Sequence, residues 1–91
     1  MGESFGVAAF RSRQQVMRMN ELFHREGLNT SIVTTPRDIS AGCGLSVKFD
    51  MNDADAVRRI VARARPANMI GMYRVNASQG QRMSIMPIPA R

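Results

Sequence analysis

One cysteine, one histidine, one tyrosine and no tryptophan mark this 91-residue chain by what it withholds. A lone cysteine, Cys43, cannot close an internal disulfide, and it leaves a dithiol redox reaction without a resolving partner, which disfavours a thioredoxin-like oxidoreductase. The lone histidine, His24, falls near the end of the first predicted helix away from Cys43, so a Cys–His hydrolase would have no base within reach of its thiol. No stretch approaches the ~18 uncharged apolar residues of a membrane helix. Met1–Phe5 has neither the basic nor the apolar region of a secretory signal. A soluble protein in a reducing cytoplasm is therefore expected, with no membrane partner.

Acidic residues are also scarce. Seven carboxylates face thirteen basic residues, a net charge of +6, and every basic residue except Lys48 is arginine. Such an excess raises the question of an anionic partner. The arginines form no single run, however, and charges spread over solvated helix faces by coding bias fit equally well. The eight methionines are scattered from Met1 to Met86 with no tight ligand cluster. Core packing accounts for them, and neither a metal site nor a cofactor is expected.

What is present suits one α+β domain. Phe5–Phe10, FGVAAF, is a short apolar run that fits a strand buried on both faces or a buried helix segment. Ser12 followed by Gln15 has the spacing of a capping box, so a helix is expected over 13–26, with Val16, Met19, Leu22 and Phe23 as its apolar stripe and Gly27 as its stop. The β-branched residues of 30–35 read as a second strand ended by Pro36. Leu45, Val47 and Phe49 alternate with Ser46, Lys48 and Asp50 as a third strand with one buried and one wet face. Asp50 or Asn52 caps a second helix with Ala54, Val57, Ile60, Val61 and Ala64 on its apolar side, closed by Pro66. Met69–Val75 is the fourth strand. The order βαββαβ predicts a ferredoxin-like sandwich of two helices on a four-stranded antiparallel sheet over residues 3–75. Residues 76–91 read as a tail, mobile unless it docks on something.

In that topology the first two strands are parallel, and the loop after the second shares an edge with the start of the first helix. Cys43, Arg11 and Ser12 are then neighbours. A helix start carries about half a positive charge, and Arg11, Arg13 and Arg37 add whole ones, all favouring thiolate over thiol. Gly42 and Gly44 flank the sulfur, permitting left-handed turns and close approach of a partner. Asp38, in the same loop, can orient Arg37 or cap the turn. A small cysteine buried in a turn explains the spacing as well, and the residues leave both readings open.

The segment Thr34-Thr35-Pro36-Arg37-Asp38-Ile39-Ser40-Ala41-Gly42-Cys43-Gly44-Leu45-Ser46-Val47-Lys48-Phe49 resembles the core of a small bacterial family of selenium/sulfur carrier-like proteins, which reads P-R-x-I-S-x-x-C-G before an alternating strand. The likeness runs over about residues 3–75, including Glu26-Gly27-Leu28 and Met72-Tyr73, while the tail from about Asn76 and the arginine load depart from it. What the resemblance implies is a persulfide or selenopersulfide held on Cys43, with Arg37 stabilising the anion, Ser40 hydrogen-bonding it, and Gly42 and Gly44 giving backbone access. Its partners would be a sulfur donor, such as a cysteine desulfurase or rhodanese-like protein, and an acceptor protein. On this reading the chain is a carrier or accessory protein rather than a stand-alone enzyme. The alternative is a non-catalytic interaction module with a structural cysteine, in which Met83, Ile85, Met86 and Ile88 form an added strand or an adaptable apolar strip. RNA binding ranks third, because the third strand lacks the aromatic run on which bases stack. An open sheet edge or face also offers two copies a way to pair.

Overall fold

The computed structural model describes residues 2–36, 39, 44–66, 69–78 and 84–88. Strand β1 (Gly2–Phe10) leads to helix α1 (Arg13–Arg25), strands β2 (Ser31–Thr34) and β3 (Leu45–Phe49), a short 3-10 turn over Met51–Asp53, helix α2 (Ala54–Ala64), and strands β4 (Met69–Ser78) and β5 (Ser84–Ile88). The sheet order is β2-β3-β1-β4-β5, antiparallel at every junction. The α+β class and the two helices are as expected. The sheet has five strands instead of four.

Phe5–Phe10 belongs to a strand and not a helix, and its position explains the unbroken apolar run. β1 has β3 on one side and β4 on the other, so Val7, Ala8, Ala9 and Phe10 are all buried whichever face they point to. Helix α1 starts where predicted, but the Ser12 side chain makes no capping hydrogen bond, so the expected capping box is not formed. The Ser12 carbonyl accepts instead from the Val16 amide at 3.2 Å. The other end is a Schellman stop: the Leu28 amide donates to the Phe23 carbonyl, the Gly27 amide to that of His24, and Gly27 takes φ +87°. Helix α2 buries Val57, Ile60 and Val61, whereas Ala64, expected on its apolar side, is exposed. Of the two cap candidates, Asp50 accepts from the Asn52 amide at 2.8 Å and caps the 3-10 turn that leads into α2.

The second strand is one residue shorter at each end than its β-branched run, and both flanking threonines make side-chain hydrogen bonds. The Thr30 hydroxyl donates to Asn20 of α1 at 2.7 Å, and the Thr35 hydroxyl bonds that of Ser46. Part of the expected tail is sheet: β4 runs through Asn76 to Ser78, and β5 pairs with it from Met72↔Ile88 to Asn76↔Ser84.

Two apolar layers flank the sheet. On one face, Ala8, Phe10, Val47, Phe49 and Met72 meet Val16, Met19 and Phe23 of α1 and Val57, Ile60 and Val61 of α2. On the other, Val7, Ala9 and Val75 are covered by Ile39 with help from Phe5, Val33, Tyr73 and Ile85. This second layer overturns the assignment of Ser46 to a wet face, since Ser46 is 0 % exposed.

Candidate functional site

β1 and β2 both pair antiparallel with β3, so they run parallel to each other and end on the same edge, where β3 and β4 begin. That edge carries the start of α1 and the two feet of the 35–44 segment. Arg37, Asp38, Ser40, Ala41, Gly42 and Cys43 lie outside the described residues, so their expected arrangement around the sulfur has no geometry here. The residues that hold their segment in place do.

At the feet, the Thr35 amide donates to the Gly44 carbonyl at 2.9 Å. Beneath it the Thr35 and Ser46 hydroxyls bond each other at 2.7 Å in a buried site. Among the described residues no buried side-chain nitrogen or oxygen lacks a partner, and for this pair the partner is the other hydroxyl. Gly44 sits at φ +82°, where a side chain is strained, yet a Cβ built there would meet nothing within 4 Å. Its glycine is required by backbone conformation and not by crowding, the turn reason expected for it. In the middle, the Ile39 amide donates to the Pro36 carbonyl at 3.0 Å, and the Ile39 side chain, 3 % exposed, inserts into the second apolar layer. Burying such a side chain contributes about 2 kcal/mol. The segment is thus tied at both ends and pinned at its centre to the sheet.

The electrostatics of this edge are one-signed among the described residues. Arg11 and Arg13 are exposed, the first turn of α1 holds no acidic residue, and neither arginine is in an ion pair. With Ser12 not capping and no acidic residue in the first turn, the positive helix end is left unopposed by its own helix.

His24 is where sequence reasoning placed it, away from the loop. Its Nε2 donates to the Thr30 carbonyl at 2.7 Å, at the start of β2. One feature had no foreshadowing in the sequence: a concavity of about 400 Å³ on the edge opposite the loop, lined by residues including Thr30, Ser31, Lys48, Asp50 and Asp53. The Lys48 ammonium stands 4.6 Å from the centroid of the Phe5 ring there. The signal that could have found it is the period-two placement of the only lysine on a strand that pairs with β1, where Val7 is its direct partner and Phe5 its diagonal neighbour. Among the described residues no helix is long and apolar enough to cross a membrane.

Comparison with known proteins gives a family match. The family described as "Putative Se/S carrier protein-like" matches residues 5–74, most of the chain. No curated protein and no solved structure matches significantly.

Proposed function

The chain belongs to the Se/S carrier protein-like family, and we propose on that footing that it carries sulfane sulfur, or its selenium analogue, on Cys43. The observation that supports this reading is the anchoring of the 35–44 segment. Thr35, Gly44 and Ser46 hold its feet and Ile39 its centre, on the edge where a helix start and unpaired arginines favour an anion. Anchors of this kind at Thr35, Ile39 and Gly44 suit a loop whose proposed task is to offer a thiolate to successive partners.

In the proposed reaction the Cys43 thiolate attacks the terminal sulfur of a donor persulfide. A new S–S bond forms on Cys43, the donor S–S bond breaks, and the donor leaves as a thiolate, so no outside oxidant or reductant is needed. An acceptor nucleophile then attacks the outer sulfur and Cys43 leaves as the thiolate. Arg37 is proposed to stabilise the persulfide anion, Ser40 to hydrogen-bond it, and Gly42 and Gly44 to let the donor sulfur approach. The donor is proposed to be a cysteine desulfurase or rhodanese-like protein.

Intact-mass spectrometry after incubation with a cysteine desulfurase and cysteine tests it. One added sulfur, ~32 Da, should appear on wild type, vanish with dithiothreitol, and be absent from Cys43→Ser. No adduct, together with a thiol inert to iodoacetamide, would instead leave an interaction module with a structural cysteine.

A further inference from the structure

Charge is unevenly placed along the strand direction, and we infer that the loop edge is a docking surface for an acidic patch on a partner protein. Arg11 follows β1 directly and Arg13 opens α1. Arg65 caps α2 and lies within about 14 Å of Met69 by chain length, and Met69 pairs with Phe10 at the same edge. All three are exposed, and none forms an ion pair with another described residue. Most of the described carboxylates lie elsewhere, and Glu26 is the exception in reaching the end of α2, where Arg63, two residues from Arg65, holds it at 3.1 Å. Asp50, Asp53 and Asp55 follow β3 at the opposite edge, and Glu21 and Glu26 sit in the last turns of α1 and at its cap. Glu21, Glu26 and Asp55 are engaged by Arg25, Arg63 and Arg58 respectively. The 35–44 segment itself contributes one charge of each sign, Arg37 and Asp38, and so does not offset the three arginines.

Arg65 adds an independent sign. It is the only non-glycine residue at positive φ among the described residues, at +47°. A side chain there costs roughly 1–2 kcal/mol, and glycine is the usual occupant. Strain retained at an exposed, unpaired arginine points to use of its charge.

An acidic protein fits this surface better than nucleic acid. The sheet face on which RNA-binding modules of similar topology stack bases is covered here by Ile39 together with Phe5, Val33, Ile70, Tyr73 and Ile85, and Val7 and Val75 are 0 % and Ala9 1 % exposed. This inference rests on the carrier reading for the choice of a sulfur donor as partner, though the docking is measured without the sulfur chemistry.

Fluorescence anisotropy with a labelled octaglutamate peptide at low ionic strength is the test. The Arg11→Ala/Arg13→Ala/Arg65→Gly variant is expected to bind about tenfold more weakly than wild type, while an Arg18→Ala/Arg59→Ala/Arg74→Ala variant, equal in net charge, stays within about twofold. Thermal melts control for folding, and the left-handed position makes Arg65→Gly neutral or stabilising. Equal losses in both variants would reduce the effect to net charge and overturn the inference. Tighter binding of an oligouridylate than of the peptide, lost in the first variant, would also overturn it in favour of nucleic acid. Exposure of wild type to inorganic polysulfide, read by mass, judges the carrier chemistry separately. Failure there removes the carrier reading and leaves the anisotropy result standing.

Discussion

At the scale of single residues, the anchoring of the loop can be taken apart. Thr35→Val leaves the buried Ser46 hydroxyl without its partner, and Ser46→Ala does the same to Thr35, each costing about 1–3 kcal/mol. The double variant should cost less than the sum, with a coupling of about 1 kcal/mol in urea unfolding; strict additivity would mean that the two hydroxyls act apart. Gly44→Ala should cost roughly 1–2 kcal/mol through its positive φ alone. Gly6 is different, because its backbone is ordinary but an added Cβ would overlap the ring of Phe49, itself 2 % exposed and unable to swing away. Gly6→Ala should therefore cost about 1–3 kcal/mol by overpacking, and Phe49→Leu should recover part of that loss whereas it would worsen a purely conformational defect. The need for Gly44 was legible, since a turn before an alternating strand calls for a left-handed residue. The burial of Ser46 was not, because alternation says which residues share a face and not what covers it.

At the scale of elements, boundaries set by local chemistry were readable and those set by pairing were not. Gly27 stops α1 through hydrogen bonds made within six residues of chain, so the helix end is inscribed locally. β5 is a strand because Met72–Asn76 of β4 offers it an edge, a long-range event, so that the added strand suggested by Ile85, Met86 and Ile88 forms on the chain's own sheet. Pro87 suits the position, since an outer strand tolerates a missing amide donor and gains protection from further pairing. Ile88 packs toward the helix-side core and Ile85 toward the second layer. A chain ended after Ser78 should lose about 2 kcal/mol from these two partly buried side chains. It should also associate with rising concentration through the bared β4 edge, visible by light scattering. Unchanged stability and a monomeric profile would show β5 to be a passive appendage.

For the whole molecule, the radius of gyration of 12.2 Å is that of a compact chain of this length, and the sheet is buried on both sides by unlike means. Helices cover one face, while the other is closed without a helix, by Ile39 of the segment that bears the cysteine packed with side chains of the strands themselves. Ile39→Ala should accordingly act at a distance. It should destabilise by about 2–5 kcal/mol and change the rate of Cys43 alkylation at fixed pH by freeing the loop. Loss of stability with an unaltered alkylation rate would separate the second layer from the site. The sequence by itself determined the α+β class, the order of the first six elements, the parallel course of β1 and β2, and hence the edge that joins Arg11, Ser12 and the ends of the cysteine segment. All of these follow from periodicity and turn chemistry acting over short spans. Only the tertiary structure decided that the fifth strand pairs within the chain, the closed second face, the buried hydroxyl pair and which arginines meet carboxylates. Each depends on residues far apart in the chain meeting across the sheet, and no local pattern records which partners will meet.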